Sequence, residues 1–377
     1  MSEEIMNPNR ETKVIILGAG CSADCGYPLG IGFATELEKF LGEIPEKCPV
    51  IKQTVDSTVK LLVGLPEIQT LDQLAKYLED EMSVWQQNHG GFRMSNPKEY
   101  SEKYSLVQKQ IRDAKIATSA LFCAKETKAR KMPAFQRYKL LVAEIFGGYP
   151  WRDAVKEANC HVLTFNYDRL FELAFLESFR DFDTGNTFIY GKDALNSGFD
   201  LSTRELSVIK PALDHFCFLK LHGSSCWWGQ RHQHDPNKRR YSFPLPLKTI
   251  SLEEIENSIP KERDVLHGWE SLTVFPHERQ FEQNFYKARG ESSGYTWAQY
   301  VDTIWDHAAE LLEAATEVRV IGYSFNPIDS RYVVDKLIAK VKCEKTIIQN
   351  LNIDTVKKNL ASYKMLRGHL EFDQTPF

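Results

Sequence analysis

Short apolar runs alternate with helical stripes along this chain of 377 residues. Lys13–Leu17 is β-branched and apolar and stops at Gly18-Ala19-Gly20; Phe33, Leu37, Phe40 and Leu41 then fall at helical spacing. Strand, glycine turn and helix in that order open a nucleotide-binding α/β unit. From 44 to 154 the texture is helical. Thr70 and Gln73 form a capping box ahead of a stripe at Leu71, Leu74, Leu78, Met82 and Trp85, and a second helical stretch runs through Ser105–Phe146, interrupted near Pro133. Strand-like runs return at Cys160–Phe165, Phe216–Leu221, Val318–Tyr323, Thr346–Ile353 and His369–Phe372. Helical spacing lies between them at Arg169–Phe179, Trp297–Ala315 and Ile328–Val341. Strands that alternate with helices predict a Rossmann-like parallel sheet covered on both faces, an α/β fold. The predicted division is a nucleotide-binding domain over 1–43 and 155–377, with a helical insertion over 44–154. Within the former, Ser225–Gly294 is polar, has few periodic runs and reads as a long excursion from the sheet.

Composition narrows the class. With 42% hydrophobic and 26% charged residues the chain is of ordinary globular type, and a net charge of -4 gives no sign of a broad nucleic-acid-binding surface. Its apolar runs are too short to cross a bilayer, and Met1–Lys13 is polar with no apolar signal-peptide core. Eight scattered cysteines, at 21, 25, 48, 123, 160, 217, 226 and 343, read as free thiols in a reducing cytoplasm, and no C-x-x-C pair marks a zinc ribbon. His222, Cys226, His232 and His234 match no common zinc spacing, so no metal is expected. Lys238, Arg239 and Arg240 read as a surface loop.

Four polar segments follow the predicted strands, where open α/β sheets bind ligands. They are Gly18-Ala19-Gly20-Cys21-Ser22 with Gly26-Tyr27-Pro28, Thr164-Phe165-Asn166-Tyr167-Asp168, His222-Gly223-Ser224, and Gly322-Tyr323-Ser324-Phe325. Each has two readings by itself. Gly18 and Gly20 either make a plain tight turn or let a pyrophosphate approach the backbone. Asp168 either caps the helix that follows or faces a ligand. Asn166 is either a turn residue or a site residue, and Trp227-Trp228 either lines a pocket or fills the core. Cys21 and Cys25 read as packing residues rather than a redox pair.

Together the four segments resemble the motifs of the sirtuin superfamily. Gly18, Ala19, Gly20, Ser22, Gly26 and Pro28 fit its G-A-G-x-S-x-x-x-G-I-P opening. Thr164, Asn166 and Asp168 fit T-Q-N-I-D, His222-Gly223 fits the catalytic H-G, and Gly322-Tyr323-Ser324 fits a late G-T-S-type loop. The D-F-R that follows the proline in deacetylating sirtuins and the four-cysteine zinc module have no counterpart. In that respect the chain is similar to bacterial sirtuin-like proteins of anti-phage defence, which hydrolyse NAD. The resemblance implies a regulated NAD glycohydrolase that uses NAD as substrate. It assigns Asn166 to the nicotinamide ribose and the attacking water, Asp168 to the carboxamide, and His222 to the role of base. It assigns Gly18, Ala19, Gly20 and Ser22 to the phosphates, Gly322 and Ser324 to the adenosine side, and counts Thr164 among the residues that bind NAD. It further implies a homo-oligomer and a HerA-type P-loop ATPase partner. An ADP-ribosyl or acyl transferase and a non-catalytic NAD or ADP-ribose binding subunit are the competing readings.

Overall fold

The structure is a computed structural model. It describes residues 12–81, 84, 97–147, 153–179, 199–200, 207–208, 215–231, 239–242, 251–258, 269–273, 297–325, 337–361 and 369–377, apart from 31, 69, 71, 72, 75, 79, 154 and 157. Eleven strands are described: β1 Lys13–Leu17, β2 Cys160–Thr164, β3 Phe199–Asp200, β4 Ser207–Val208, β5 Phe218–Lys220, β6 Gly223–Arg231, β7 Arg239–Ser242, β8 Trp269–Thr273, β9 Glu317–Ile321, β10 Lys345–Gln349 and β11 His369–Asp373. Six of them form one parallel sheet in the order β11-β10-β9-β1-β2-β5. The chain builds outward from β1 to β2 and β5, then returns to the other side of β1 and builds outward again through β9, β10 and β11. Strand order therefore reverses between β1 and β9, which is the place where doubly wound sheets hold their ligands.

The apolar runs have the burial that this architecture demands. Every residue of β2, and every residue of β1 after Lys13, is buried, as expected for strands covered on both faces. Helix Phe135–Phe146 closes the helical stretch and packs across helix Leu170–Ser178. There Phe146 meets the rings of Phe175, Phe179 and Phe216 at 4.7–5.6 Å. Helix Phe135–Phe146 thus joins the core through helix Leu170–Ser178 and Phe216. Proline and glycine punctuate this region as the sequence suggests, with helices Pro97–Ala129 and Phe135–Phe146 separated around Pro133.

The capping box forms. Thr70 N–H donates to Gln73 Oε1 and Gln73 N–H to Thr70 Oγ1, both at 3.1 Å. Leu74 and Leu78 are buried behind it, whereas Leu71, Met82 and Trp85 of the same stripe lie outside the described residues, as do His232, His234 and Lys238. Two elements differ from the sequence reading. The excursion after 225 contributes an antiparallel sheet, β7-β6-β8, in which β8 pairs with β6 across 39–50 residues and so leaves little local signature. The run at Thr346–Ile353 divides into β10 and helix Ile353–Ala361, because Asn352 Oδ1 accepts the Thr355 N–H at 3.1 Å and starts the helix. Most of the predicted helix Ile328–Val341 falls outside the described residues; its end, Ile338–Lys340, is one 3₁₀ turn. Among the described residues no helix is long and apolar enough to cross a membrane.

Candidate active site

Strand register brings the four polar segments to one line. Leu17 stands opposite both Thr164 and Ile321, and Thr164 opposite Lys220. The residues after these positions therefore leave the sheet at the same level. Gly18, Phe165, Leu221-His222 and Gly322 all begin there.

The glycines are explained by how two of these segments meet. Gly18 N–H donates to Ile321 O at 2.9 Å and Gly20 N–H to Gly322 O at 2.8 Å, while the Cys21 and Ser22 amides turn back to Gly18 O and Ala19 O. A Cβ on Gly18 would come within 2.6 Å of Tyr323 Cα, and one on Gly20 within 2.7 Å of Gly322 O. Close approach of two backbones accounts for both glycines without a ligand, and four amides that a phosphate cradle would use are engaged within the chain. Ala19 and Gly20 reach the surface at the rim. Ser324 is also exposed, and its carbonyl accepts the Asn359 side-chain amide at 2.7 Å. Gly322 is the tightest point, since its φ is +66° and a Cβ there would sit 2.4 Å from Cys21 N. Gly322→Ala is expected to cost about 1–2 kcal/mol for the left-handed backbone and about 1–3 kcal/mol for overpacking against main chain. Chemical denaturation measures it, and a loss under about 1 kcal/mol would show that the two loops are free to separate.

A chain of buried hydrogen bonds ends at Asn166. Asp168 Oδ2 accepts the Ser22 hydroxyl at 2.6 Å, and Asp168 Oδ1 accepts the Leu170 N–H at 3.0 Å. A serine hydroxyl has one proton to give. With it spent on Asp168, Ser22 Oγ can only accept, so the Tyr138 phenol at 2.7 Å donates to it, as does Asn166 Nδ2 at 3.2 Å. This fixes the amide nitrogen of Asn166 toward Ser22 and turns its carbonyl oxygen the other way. That oxygen, Asn166 Oδ1, is buried and has no hydrogen-bond partner among the described residues. Buried acceptors are rarely left so, and the sheet edge thereby presents one oriented acceptor. Thr164 Oγ1 supports the turn from beneath by accepting the Asn166 N–H at 3.0 Å.

Burial raises the Asp168 carboxyl above its ordinary range, opposed by the charge of Lys220 and by the Ser22 and Leu170 hydrogen bonds. Lys220 is itself buried within β5; its Nζ donates to Asp168 O at 2.5 Å and pairs with Glu172 at 3.0 Å. Asp168 accepts the first amide of its helix, at Leu170, and also holds Ser22, which accords with the capping reading; neither contact is to a ligand. Its carboxylate oxygens are engaged inward by these two donors. Burial likewise pushes up the thiols of Cys21 and Cys25, the latter to about 11, in keeping with packing positions.

His222 occupies the joint between the parallel sheet and β6, where Gly223 adopts a φ of +69°. Its imidazole is buried in an aromatic enclosure, 5.3 Å from the Phe165 ring, 5.9 Å from Trp305 at 25° and 6.1 Å from Tyr167. Phe165 stacks in turn on Tyr323 at 4.8 Å. The imidazole, the Asn166 turn and the Gly322 loop are thus linked through one ring. Trp305 is pinned by its Nε1 donating to Leu221 O at 2.7 Å. Trp227 and Trp228 are buried.

Sequence reasoning missed Tyr138, Lys220 and Trp305. Tyr138 and Trp305 look like ordinary members of apolar helical stripes. Lys220 had a signal, a lysine inside the otherwise apolar run Phe216–Leu221, where charge is tolerated only with buried partners. Tyr138→Phe, which removes one donor from Ser22 while keeping the ring, is expected to cost about 0.5–1.5 kcal/mol, measurable by urea unfolding. No change at all would mean that the phenol hydrogen is not directed at Ser22. Comparison with models of known protein families returned no match, and comparison with curated proteins returned none.

Proposed function

We propose that this chain hydrolyses the bond between nicotinamide and ribose in NAD, releasing nicotinamide and ADP-ribose. The observation that carries the reading is the buried Asn166 carbonyl oxygen, without a hydrogen-bond partner among the described residues and oriented through Ser22 by Asp168, on the same sheet edge as His222. The similarity of the four segments to sirtuin motifs supports NAD as the dinucleotide. The reversal of strand order between β1 and β9 supports a nucleotide at this edge.

Nicotinamide leaves as a neutral molecule, so no acid has to protonate it, and the ribose passes through a state resembling an oxocarbenium ion. The residues needed are those that place a water and accept its proton. Asn166 Oδ1 accepts a hydrogen bond from the ribose or from the attacking water. His222 takes up the proton. Asp168 keeps Ser22, and through it Asn166, in one orientation, a role that the inward-facing carboxylate supports better than direct contact with the carboxamide. The exposed rim at Ala19, Gly20 and Ser324 lies toward the diphosphate and adenosine. By the same resemblance we place the activity in a regulated, oligomeric effector of anti-phage defence, working with a HerA-type ATPase.

The decisive experiment incubates purified protein with NAD and follows nicotinamide and ADP-ribose. Asn166→Ala is expected to lower turnover roughly 10–100-fold, the equivalent of about 1.5–3 kcal/mol for a hydrogen bond to a group that becomes charged. NAD bound but left whole by the wild-type protein would favour the binding-subunit reading. ADP-ribose appearing only on an added acceptor protein would favour the transferase.

A further inference from the structure

The thiols of Cys123 and Cys226 lie 3.2 Å apart. Cys123 belongs to helix Pro97–Ala129 and Cys226 to β6, the strand that leaves His222, and both are buried. The Glu126 carboxylate is 4.0 Å from the Cys226 sulfur, and Cys123 approaches Ser225 O at 3.9 Å. Other thiols face main-chain carbonyls instead, Cys21 that of Ile321 at 2.9 Å, Cys217 that of His215 at 3.4 Å and Cys343 that of Lys345 at 3.1 Å. A disulfide needs its sulfurs about 2.0 Å apart, so this pair is separated from a bond by a shift on the order of 1 Å, within reach of side-chain rotation.

We propose that Cys123 and Cys226 are a disulfide-forming pair, oxidised reversibly by a hydroperoxide. One thiol loses its proton and attacks the peroxide oxygen–oxygen bond, which gives a sulfenic acid and, from hydrogen peroxide, one water. The second thiol attacks that sulfur, the sulfur–sulfur bond forms, and the sulfenic hydroxyl leaves as the second water. Two thiols give up two protons and two electrons, and hydrogen peroxide takes them up. A dithiol reductant reverses the step by exchange.

The bond would tie the helical stretch to the site. Ser225, next to Cys226, donates both its N–H and its hydroxyl to Tyr167 O at 2.9 Å, so β6 at this point already carries the turn that presents Asn166. The hydrogen bond between the two sulfurs and burial hold the Cys123 thiol well above its usual range. The resting Cys123 thiol is therefore protonated, and burial of the pair admits only a small oxidant.

The test needs no assumption about NAD. Native full-length protein is exposed to hydrogen peroxide, alkylated with iodoacetamide under denaturing conditions, digested without reductant and examined by mass spectrometry. The expected product is one linked pair of peptides carrying Cys123 and Cys226, lost on dithiothreitol treatment and absent from Cys226→Ser. The same peptides recovered singly and alkylated would overturn the proposal, as would a mixture of pairings like that of protein oxidised in urea.

Discussion

His222→Ala is expected to lower the proposed NAD hydrolysis by about 10²–10⁴-fold, the usual contribution of a positioned general base. The position of the ring is what gives the expectation its size. The enclosure by Phe165, Trp305 and Tyr167 holds the imidazole at the strand end where Asn166 also stands, so none of these other side chains can take the proton-accepting role proposed for it. Removing a buried ring also leaves a cavity, and lower activity alone would not separate chemistry from packing. His222→Gln answers this, since it fills much of the space and keeps a polar end but cannot accept a proton at neutral pH. Both variants should bind NAD, measured by calorimetry, and both should lose turnover. Glutamine restoring most of the wild-type rate would remove His222 as the base and leave it a wall of the enclosure.

The sequence and the structure agree best where the signal is local. Lys13–Leu17 is a strand from end to end because four apolar, largely β-branched residues between Lys13 and a glycine admit little else. The capping box at Thr70 is legible for the same reason, its two partners being three residues apart. Asn166, Asp168 and His222 were legible as polar residues placed directly after buried runs. What connects them was not. Ser22 and Asp168 meet across 146 residues and Ser22 and Tyr138 across 116, and no spacing rule reports such a contact. The glycines show the converse problem. Gly18 and Gly20 suggest a phosphate loop, yet the contact that requires them is with Gly322, some 300 residues onward, which only the register of β1 with β9 reveals. The small sheet around β6 was illegible because its strands are polar in part and one of its partners, β8, stands 39–50 residues away.

The helical stretch also takes on a meaning that its amphipathic pattern alone does not supply. Tyr138 reaches Ser22 from helix Phe135–Phe146, and helix Pro97–Ala129 reaches the residue after Asp168. Two helices of the segment between β1 and β2 thus contact the site chain from beneath. A change anywhere along them has a physical route to Asn166, through Ser22 on one side and through Arg169 on the other.

The second of those contacts should be the costliest to break. Arg169 meets Glu126 in a two-pronged pair, Nε to Oε2 at 2.8 Å and Nη2 to Oε1 at 2.5 Å, with both side chains almost wholly buried at 3% and 2% exposure. A buried pair gains little over an apolar one because both charges must be stripped of water, but removing one partner leaves the other stripped and uncompensated. Glu126→Ala is therefore expected to destabilise the protein by about 3–5 kcal/mol. For comparison, Asp56→Ala, which breaks the exposed Lys60–Asp56 pair, should cost no more than about 0.5 kcal/mol. Urea denaturation of the two variants side by side measures the contrast. Replacing both Glu126 and Arg169 by methionine should recover much of the loss, since no buried charge then remains. If Glu126→Ala costs no more than the surface variant, water reaches the guanidinium. The turn bearing Asn166 and Asp168 is then not clamped against helix Pro97–Ala129, and Asn166 has to be held by Ser22, by Thr164 and by the Ser225 contacts to Tyr167.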